Sequence, residues 1–293
     1  MMARSLYGIA ALLAAPLAAS ANSESFSGHP TAAWFGGVGG AYVHTDLKQS
    51  MLGVSNPTSV FQDGTLVAVG TAGGPAVPFG LSDDTFAPVG QLGYFEQFPG
   101  SSMLWGVKFT YLYNGADMQR REILPQAGEF TTVGGSTDTF TGNVLIGSSG
   151  TRAAHQLSLF PFFGQRFSSG FIYAGGGPVI MEVETEIRNA IGFADINGQH
   201  SDITGAPMNF SNREWVWGGG FQLGLTYFLS ENWFLDLNYT WARTVQSSTT
   251  FSAQFSSSYV DDGATITTEG SANLVVGNRL TTQSVGLSLN RAF

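Results

Sequence analysis

The stretch from Trp215 to Trp241 alternates with period two and constrains the chain more than any other. Trp215, Trp217, Phe221, Leu223, Leu225, Tyr227 and Leu229 fall on one face, and Val216, Gly218, Gly220, Gln222, Gly224 and Thr226 on the other. After Ser230-Glu231-Asn232 the alternation resumes in phase, with Trp233, Leu235, Leu237, Tyr239 and Trp241 against Phe234, Asp236, Asn238 and Thr240. Such a pattern predicts a β-hairpin with a tight turn. Aromatic rings stand near both ends of each oily stripe, with aliphatic residues between. A bilayer rewards that arrangement, because amphipathic rings favour its two headgroup levels. The hairpin is expected to be two staves of a transmembrane barrel.

The N-terminus fits that destination. Arg4, the apolar run Leu6 to Leu17 and the A-x-A site Ala19-Ser20-Ala21 have the form of a secretory signal spanning residues 1–21. Residues 22–31 then form a short periplasmic lead, and 32–293 the barrel. No later stretch is apolar for long enough to cross a membrane as a helix, so a membrane-spanning chain must close a sheet on itself. Cysteine is absent, which removes disulfides, thiolate metal sites and thiol nucleophiles. Only 11% of residues are charged, and the formal net charge is −9. An acidic balance of that size speaks against nucleic acid as a partner.

Eight segments carry the alternating pattern: Ala32 to Val43, Phe86 to Phe98, Met103 to Tyr113, Arg152 to Phe167, Phe171 to Val183, the two arms of the opening hairpin, and Arg279 to Phe293. Short turns (Pro99 to Ser102, Ser168 to Gly170, Ser230 to Asn232) alternate with long segments (His44 to Thr85, Asn114 to Thr151, Glu184 to Asn212, Gln246 to Asn278). The expected architecture is therefore all-β: an eight-stranded, antiparallel, up-and-down transmembrane barrel with short periplasmic turns and four long extracellular loops. A wider barrel of ten or twelve strands would follow if Leu66 to Val69 and Phe130 to Ile146 also crossed. Most acidic residues lie in the long segments, among them Asp63, Asp83, Asp84, Asp138, Asp261, Asp262 and Glu269. Aromatic belts are expected at Trp34, Tyr42, Trp105, Tyr111, Tyr113, Phe171, Tyr173, Trp215, Trp217, Tyr227, Trp233, Tyr239 and Trp241.

Gly90 to Phe95 (GQLGYF), Phe162 to Pro178 (FFGQRFSSGFIYAGGGP) and the terminal VGLSLNRAF resemble the small outer-membrane β-barrels of Gram-negative bacteria, in particular the opacity-protein and OmpA-like transmembrane-domain group. The resemblance implies residence in the outer membrane, with lipid and lipopolysaccharide as surroundings; a monomer is expected, and, since the chain stops at the barrel, no periplasmic peptidoglycan-binding domain is expected after it. It also implies that the assembly machinery reads the last strand through Val285, Leu287, Leu289 and Phe293, a pattern from which Arg291 departs.

An eight-stranded barrel has room inside for side chains and little else. The phase of the strands predicts Lys108, Arg166, Glu182, Glu214 and Asp236 in the lumen with Gln91, Gln156, Gln222 and Asn238. Buried charges must be paired, so an ionic network centred on Asp236 with Arg166 or Lys108 is expected. Its function is then structural or one of surface contact, with a narrow pore as the alternative. A third possibility is a rim enzyme acting on lipid A or peptides, for which His44-Thr45-Asp46, His155 and His200-Ser201-Asp202 are the candidates; no complete catalytic motif accompanies them. The acidic pairs Asp83-Asp84 and Asp261-Asp262 lack the spacing of a calcium loop and suit loose divalent-cation association alone. The GGVGG and GGG runs lie within strands, so they are not phosphate loops. No cofactor or specific metal site is expected.

Overall fold

The computed structural model describes residues 28–196 and 199–293; the expected signal segment lies outside them. The described chain is almost wholly strand: β1 (Ala32–Ser55), β2 (Thr58–Gln62), β3 (Thr65–Pro75), β4 (Phe79–Gln97), β5 (Met103–Thr132), β6 (Thr137–Phe167), β7 (Gly170–Ile196), β8 (Gln199–Asp202), β9 (Met208–Phe228), β10 (Trp233–Thr244), β11 (Ser247–Asp261) and β12 (Ala264–Ala292). All lie in one antiparallel sheet of twelve strands. The pairings β1–β4, β4–β5, β5–β6, β6–β7, β7–β9, β9–β10 and β10–β12 run round the molecule, and β12–β1 returns to the start. The closing seam is long, from Phe35 opposite Ala292 to Ser55 opposite Ala272.

The long segments expected as loops are mostly strand. β3 takes the place of β4 beside β1 and β5, with Leu52 opposite Pro75 and Ala68 opposite Thr132, and β2 joins it to β12. Along β12, β11 takes over from β10, so that Thr281 faces Arg243 and Asn278 faces Ser247. Two Asp-Gly pairs turn these hairpins. Asp63 and Gly64 have φ of 50° and 81°, and Asp262 and Gly263 have 45° and 84°, the left-handed pair that a two-residue hairpin turn of the primed type requires. Strand pairing therefore continues well above the level where the aromatic stripes end.

Inside the ring the side chains form layers. At the lower end Phe35, Phe95, Phe162, Phe171, Phe228 and Phe234 pack together, with Phe228 and Phe234 centroids 5.3 Å apart. A polar layer follows. Above it lie Leu47, Met118, Phe160, Val179, Met181, Val216 and Leu280. Gln49 then donates to Asn278 at 2.8 Å and to Thr151 at 3.0 Å, and a second apolar layer of Met51, Leu124, Ile146, Ile187, Phe251 and Val276 fills the upper part. The outer face is the reverse of a soluble protein's: Phe86 is 86% exposed and Trp217 62%.

Close packing of ring against backbone sets one condition on the sequence. A Cβ at Gly106 would sit 2.3 Å from the Phe162 ring and 2.4 Å from the carbonyl oxygen of Tyr94. The backbone carbonyl cannot yield as a side chain can. Gly106→Val should therefore destabilise by at least the ~1–3 kcal/mol typical of overpacking, read as a lowered urea midpoint of the refolded protein by tryptophan fluorescence; an unchanged midpoint would contradict this packing.

Candidate functional site: the lumen and the outer rim

β10 carries Asp236 into the polar layer, and the strands around it supply the donors. Lys108 Nζ from β5 donates to Asp236 Oδ2 at 2.9 Å. Tyr173 from β7 donates to Oδ1 at 2.7 Å and accepts from Lys108. Asn238 Nδ2 reaches Oδ2 at 3.0 Å, Thr226 reaches Oδ1 at 3.3 Å, and Gln91 Nε2 lies 3.4 Å from Oδ2 while holding Ser288 and Asn290 at 2.7 and 2.6 Å. Lys108 and Asp236 are each 2% exposed. Glycine makes this possible at one point: a Cβ on Gly224 would fall 2.1 Å from the Tyr173 ring. The cavity above the network, lined by Thr110, Gln156, Ser158 and Thr240, measures about 20 Å³, about the space of one water.

The other lumen candidates lie elsewhere. Arg166 turns to the lower mouth, where Nη1 donates to the Pro30 carbonyl at 2.9 Å and to Gln97 Oε1 at 3.0 Å. There residues 28–31 lie at the opening, His29 stacking on Phe228 at 4.7 Å. Glu214 points inward much higher and accepts from Thr249 at 3.4 Å. Glu182 is not in the lumen. On β7 the buried inward residues are Phe171, Tyr173, Val179, Met181 and Val183, so Glu182 stands on the outer face. Phe171 and Tyr173 likewise belong inside and not to an outer belt, and Gly176 faces out. The cause is the turn: Phe167 pairs with Gly170, so Ser168 and Ser169 alone make the bend. Counting Gly170 into the turn slips the strand by one residue and exchanges its faces.

The outer face has rings at two levels. Below, Trp34, Tyr94 and Trp105 run across β1, β4 and β5 with successive centroids 5.2 and 5.8 Å apart, and Trp233 lies under the guanidinium of Arg291 at 5.9 Å. Arg291, the departure from the terminal pattern, thus sits beside the lower row of rings. Val285, Leu287, Leu289 and Phe293 alternate on the same face, and the Phe293 amide donates to Trp34 O at 2.9 Å. Above, Tyr42 meets Phe86 at 5.5 Å, and Trp241 stacks with Phe221 at 5.6 Å. Trp215, Trp217, Tyr111 and Tyr227 are exposed on this face, and Tyr113 and Tyr239 are partly covered.

Two histidines join the upper level. His155 Nδ1 lies 2.8 Å from Tyr111 OH, its ring stacks near Trp215, and Nε2 is 4.0 Å from Glu182, which Arg213 Nε meets at 3.2 Å. His44 Nδ1 is 2.7 Å from Asp84 Oδ1, and Nε2 is 3.4 Å from Asp46. The hydrogen bond from His44 holds the Asp84 carboxyl below its usual range. Among the described residues neither histidine hydrogen bonds to a serine; the side chain of His200 lies outside the described part. Sequence alternation alone could have placed His155 in the outer aromatic row, since it follows Leu157 and Leu159 in phase.

No family model matches the chain, and no curated protein matches it. Among solved structures it is similar to the outer membrane protein OprG from Pseudomonas aeruginosa (12% identity, 84% of this chain and 95% of that one, TM-score 0.30). It is similar too to the outer membrane protease OmpT from Escherichia coli (11%, 93% and 100%, TM-score 0.25) and to Ail, the attachment invasion locus protein of Yersinia pestis (13%, 82% and 98%, TM-score 0.22). The lumen pair offers a direct check on the packed interior. Lys108→Met should cost about 3–5 kcal/mol of stability by stranding a buried carboxylate, and the double substitution Lys108→Met with Asp236→Leu should recover most of it. A single-variant loss below about 1 kcal/mol in urea titration would mean that the pair behaves as a solvated one. The ring of antiparallel pairings and the exposed apolar side chains make this chain a closed β-barrel with an oily exterior.

Proposed function

We propose that the protein is an integral outer-membrane barrel whose wall is the ring β1, β4, β5, β6, β7, β9, β10 and β12, so that eight of the twelve strands cross the bilayer. In this arrangement β2, β3, β8 and β11 belong to an extracellular crown. The stripe from Trp233 to Trp241 on β10 supports the assignment: eight steps of about 3.3 Å give ~26 Å along the strand. A tilt of about 40° brings that to ~20 Å of height, near the ~25 Å oily band of such barrels.

The observation that carries the functional reading is the packed interior. An aromatic layer, a fully partnered ion pair and two further apolar layers follow one another up the axis. A solute has no path through them, so the role is structural and one of surface contact. The crown supplies the contact surface. Its exposed acids include Asp63, Glu129, Asp138, Asp261, Asp262 and Glu269, which suit basic partners or loosely held divalent cations. Turnover has no support in the contacts of His44 and His155, which meet carboxylates and a tyrosine. The signal segment 1–21, the lead 22–31 and the terminal row ending in Phe293 are assigned to export and assembly.

Two measurements test the assignment. The refolded protein should insert into vesicles and give no steady conductance in a planar bilayer; a reproducible open level would replace the closed barrel with a pore. Leu237→Arg, at the middle of the β10 stripe, should cost about 2–4 kcal/mol of stability in lipid. A neutral effect would show that this face does not meet hydrocarbon.

A further inference from the structure

Lys48, Arg279 and Arg243 stand on the outer face of three neighbouring strands, and the register sets them side by side. Lys48 lies directly opposite Arg279 across β1 and β12. Arg243 lies opposite Thr281, two residues along β12 from Arg279 and on the same face. Like charges directly opposed across strands destabilise a sheet. The chain has a net charge of −9, and four of its cations take carboxylate partners, Lys108 with Asp236, Arg120 with Glu122, Arg188 with Glu186 and Arg213 with Glu182, while Arg152 meets Tyr113 and Arg291 the Trp233 ring. Among the described residues no carboxylate comes within 4.0 Å of Lys48, Arg243 or Arg279. Arg279 donates to the neutral amide oxygen of Gln246 at 3.2 Å. Asp46, opposite Thr281 on the same face, is turned to His44. A recess of about 390 Å³ opens beside the pair, lined by Lys48, Ser50, Gly80, Gln246 and Arg279.

Height identifies what would fill it. Arg243 is the next outward residue after Trp241, which the register sets level with Gln283 and His44, and Lys48 and Arg279 stand two outward positions beyond those. Each outward step is about 6.6 Å along a strand, or ~5 Å of height at a tilt of ~40°. By this count Arg243 stands about 5 Å and Lys48 and Arg279 about 10 Å above the Trp241 level. A glycerophospholipid brings its phosphate to the lowest of them alone. A lipid-linked saccharide with phosphates on more than one sugar spans all three. We propose that Lys48, Arg243 and Arg279 form a binding site for the phosphates of an anionic glycolipid headgroup in the outer leaflet. The site rests on the membrane orientation given under the proposed function, because only that orientation sets the three cations against headgroups.

The test uses the full-length mature protein reconstituted into phosphatidylcholine vesicles. One set carries a few per cent lipopolysaccharide with a phosphorylated inner core, and another carries phosphatidylglycerol at equal lipid charge. Retention of the glycolipid is read by native mass spectrometry after extraction into detergent. The wild type should retain the phosphorylated glycolipid in preference to phosphatidylglycerol, and inorganic phosphate at matched concentration should not displace it. The triple variant Lys48→Gln, Arg243→Gln, Arg279→Gln should bind about a hundredfold more weakly, at roughly one decade or a little less per cation. Arg121→Gln, elsewhere on the crown, should bind as the wild type does. Heat-modifiable migration on gels confirms that each variant is folded. Equal retention by the triple variant, equal retention of phosphatidylglycerol, or displacement by free phosphate would each overturn the site while leaving the barrel assignment standing. Failure of the wild type to insert into any vesicle would overturn both.

Discussion

Hydrocarbon offers a peptide amide no partner, and that single fact governs the rest of the molecule. A sheet in lipid cannot have an edge. The first strand must therefore find the last, and β1 lies along β12 from Phe35–Ala292 up to Ser55–Ala272. Even the final amide is used, since Phe293 donates to Trp34. Closure also fixes the bore. A ring this small leaves an interior that side chains fill, so the inward sequence is under packing constraint at every second residue. Gly106 and Gly224 stand where a large ring on one strand meets the backbone of the next.

Filling the bore with polar as well as apolar layers has a consequence for the chain before it folds. Had the inward face been oily throughout, both faces of each strand would be apolar. The segments would then resemble spanning helices during export and aggregate in water. Placing Gln91, Lys108, Gln156, Gln222, Asp236 and Asn290 inside keeps the mean hydropathy at +0.08. Those groups are tolerated in a low-dielectric core because nearly every donor meets an acceptor there. The Asp236 carboxylate takes hydrogen bonds from five side chains. The ion pair is a cost of the export route more than a source of stability, as buried pairs generally are.

The wall was legible in the sequence where alternation was strict. Trp217, Phe221 and Leu237 separate from Gln222, Asp236 and Asn238 by parity alone, and they occupy opposite faces. Parity is also the weak point. At Ser168-Ser169 the bend has two residues where the sequence suggests three, and the difference exchanges the faces of β7: Glu182 stands outside the lumen, and Phe171 and Tyr173 inside it. Nothing local signals that difference, because FIYAGGGPVI is apolar or small on both faces. The crown was obscured for a different reason. Above the bilayer the outward face needs no oil, so the contrast between faces fades while strand pairing persists. Its remaining signals were the two Asp-Gly turns and the spacing of Phe251 and Phe255, which fix hairpins but not how high they rise.

The outer face changes character with height in a way that follows from what surrounds it. Aliphatic residues occupy the middle, rings the two margins, and cations and histidines the first steps above the upper margin. The exposed acids Asp63, Asp138, Asp261 and Asp262 are kept for the hairpin tips. A leaflet whose headgroups carry phosphate imposes that order. Carboxylates near it would be repelled unless paired, as Glu182 is with Arg213 and Asp84 with His44. Beyond a screening length of roughly 8–10 Å the repulsion is lost, and acids at the tips cost nothing further. The net charge of −9 is thus spread so that some acids meet a cation or a histidine near the upper margin and others stand at the hairpin tips. Lys48 and Arg279 break the pattern at intermediate height: two facing cations without a carboxylate in a chain that has acids to spare. Such a pair is stable in that position when anions from outside the protein lie against it.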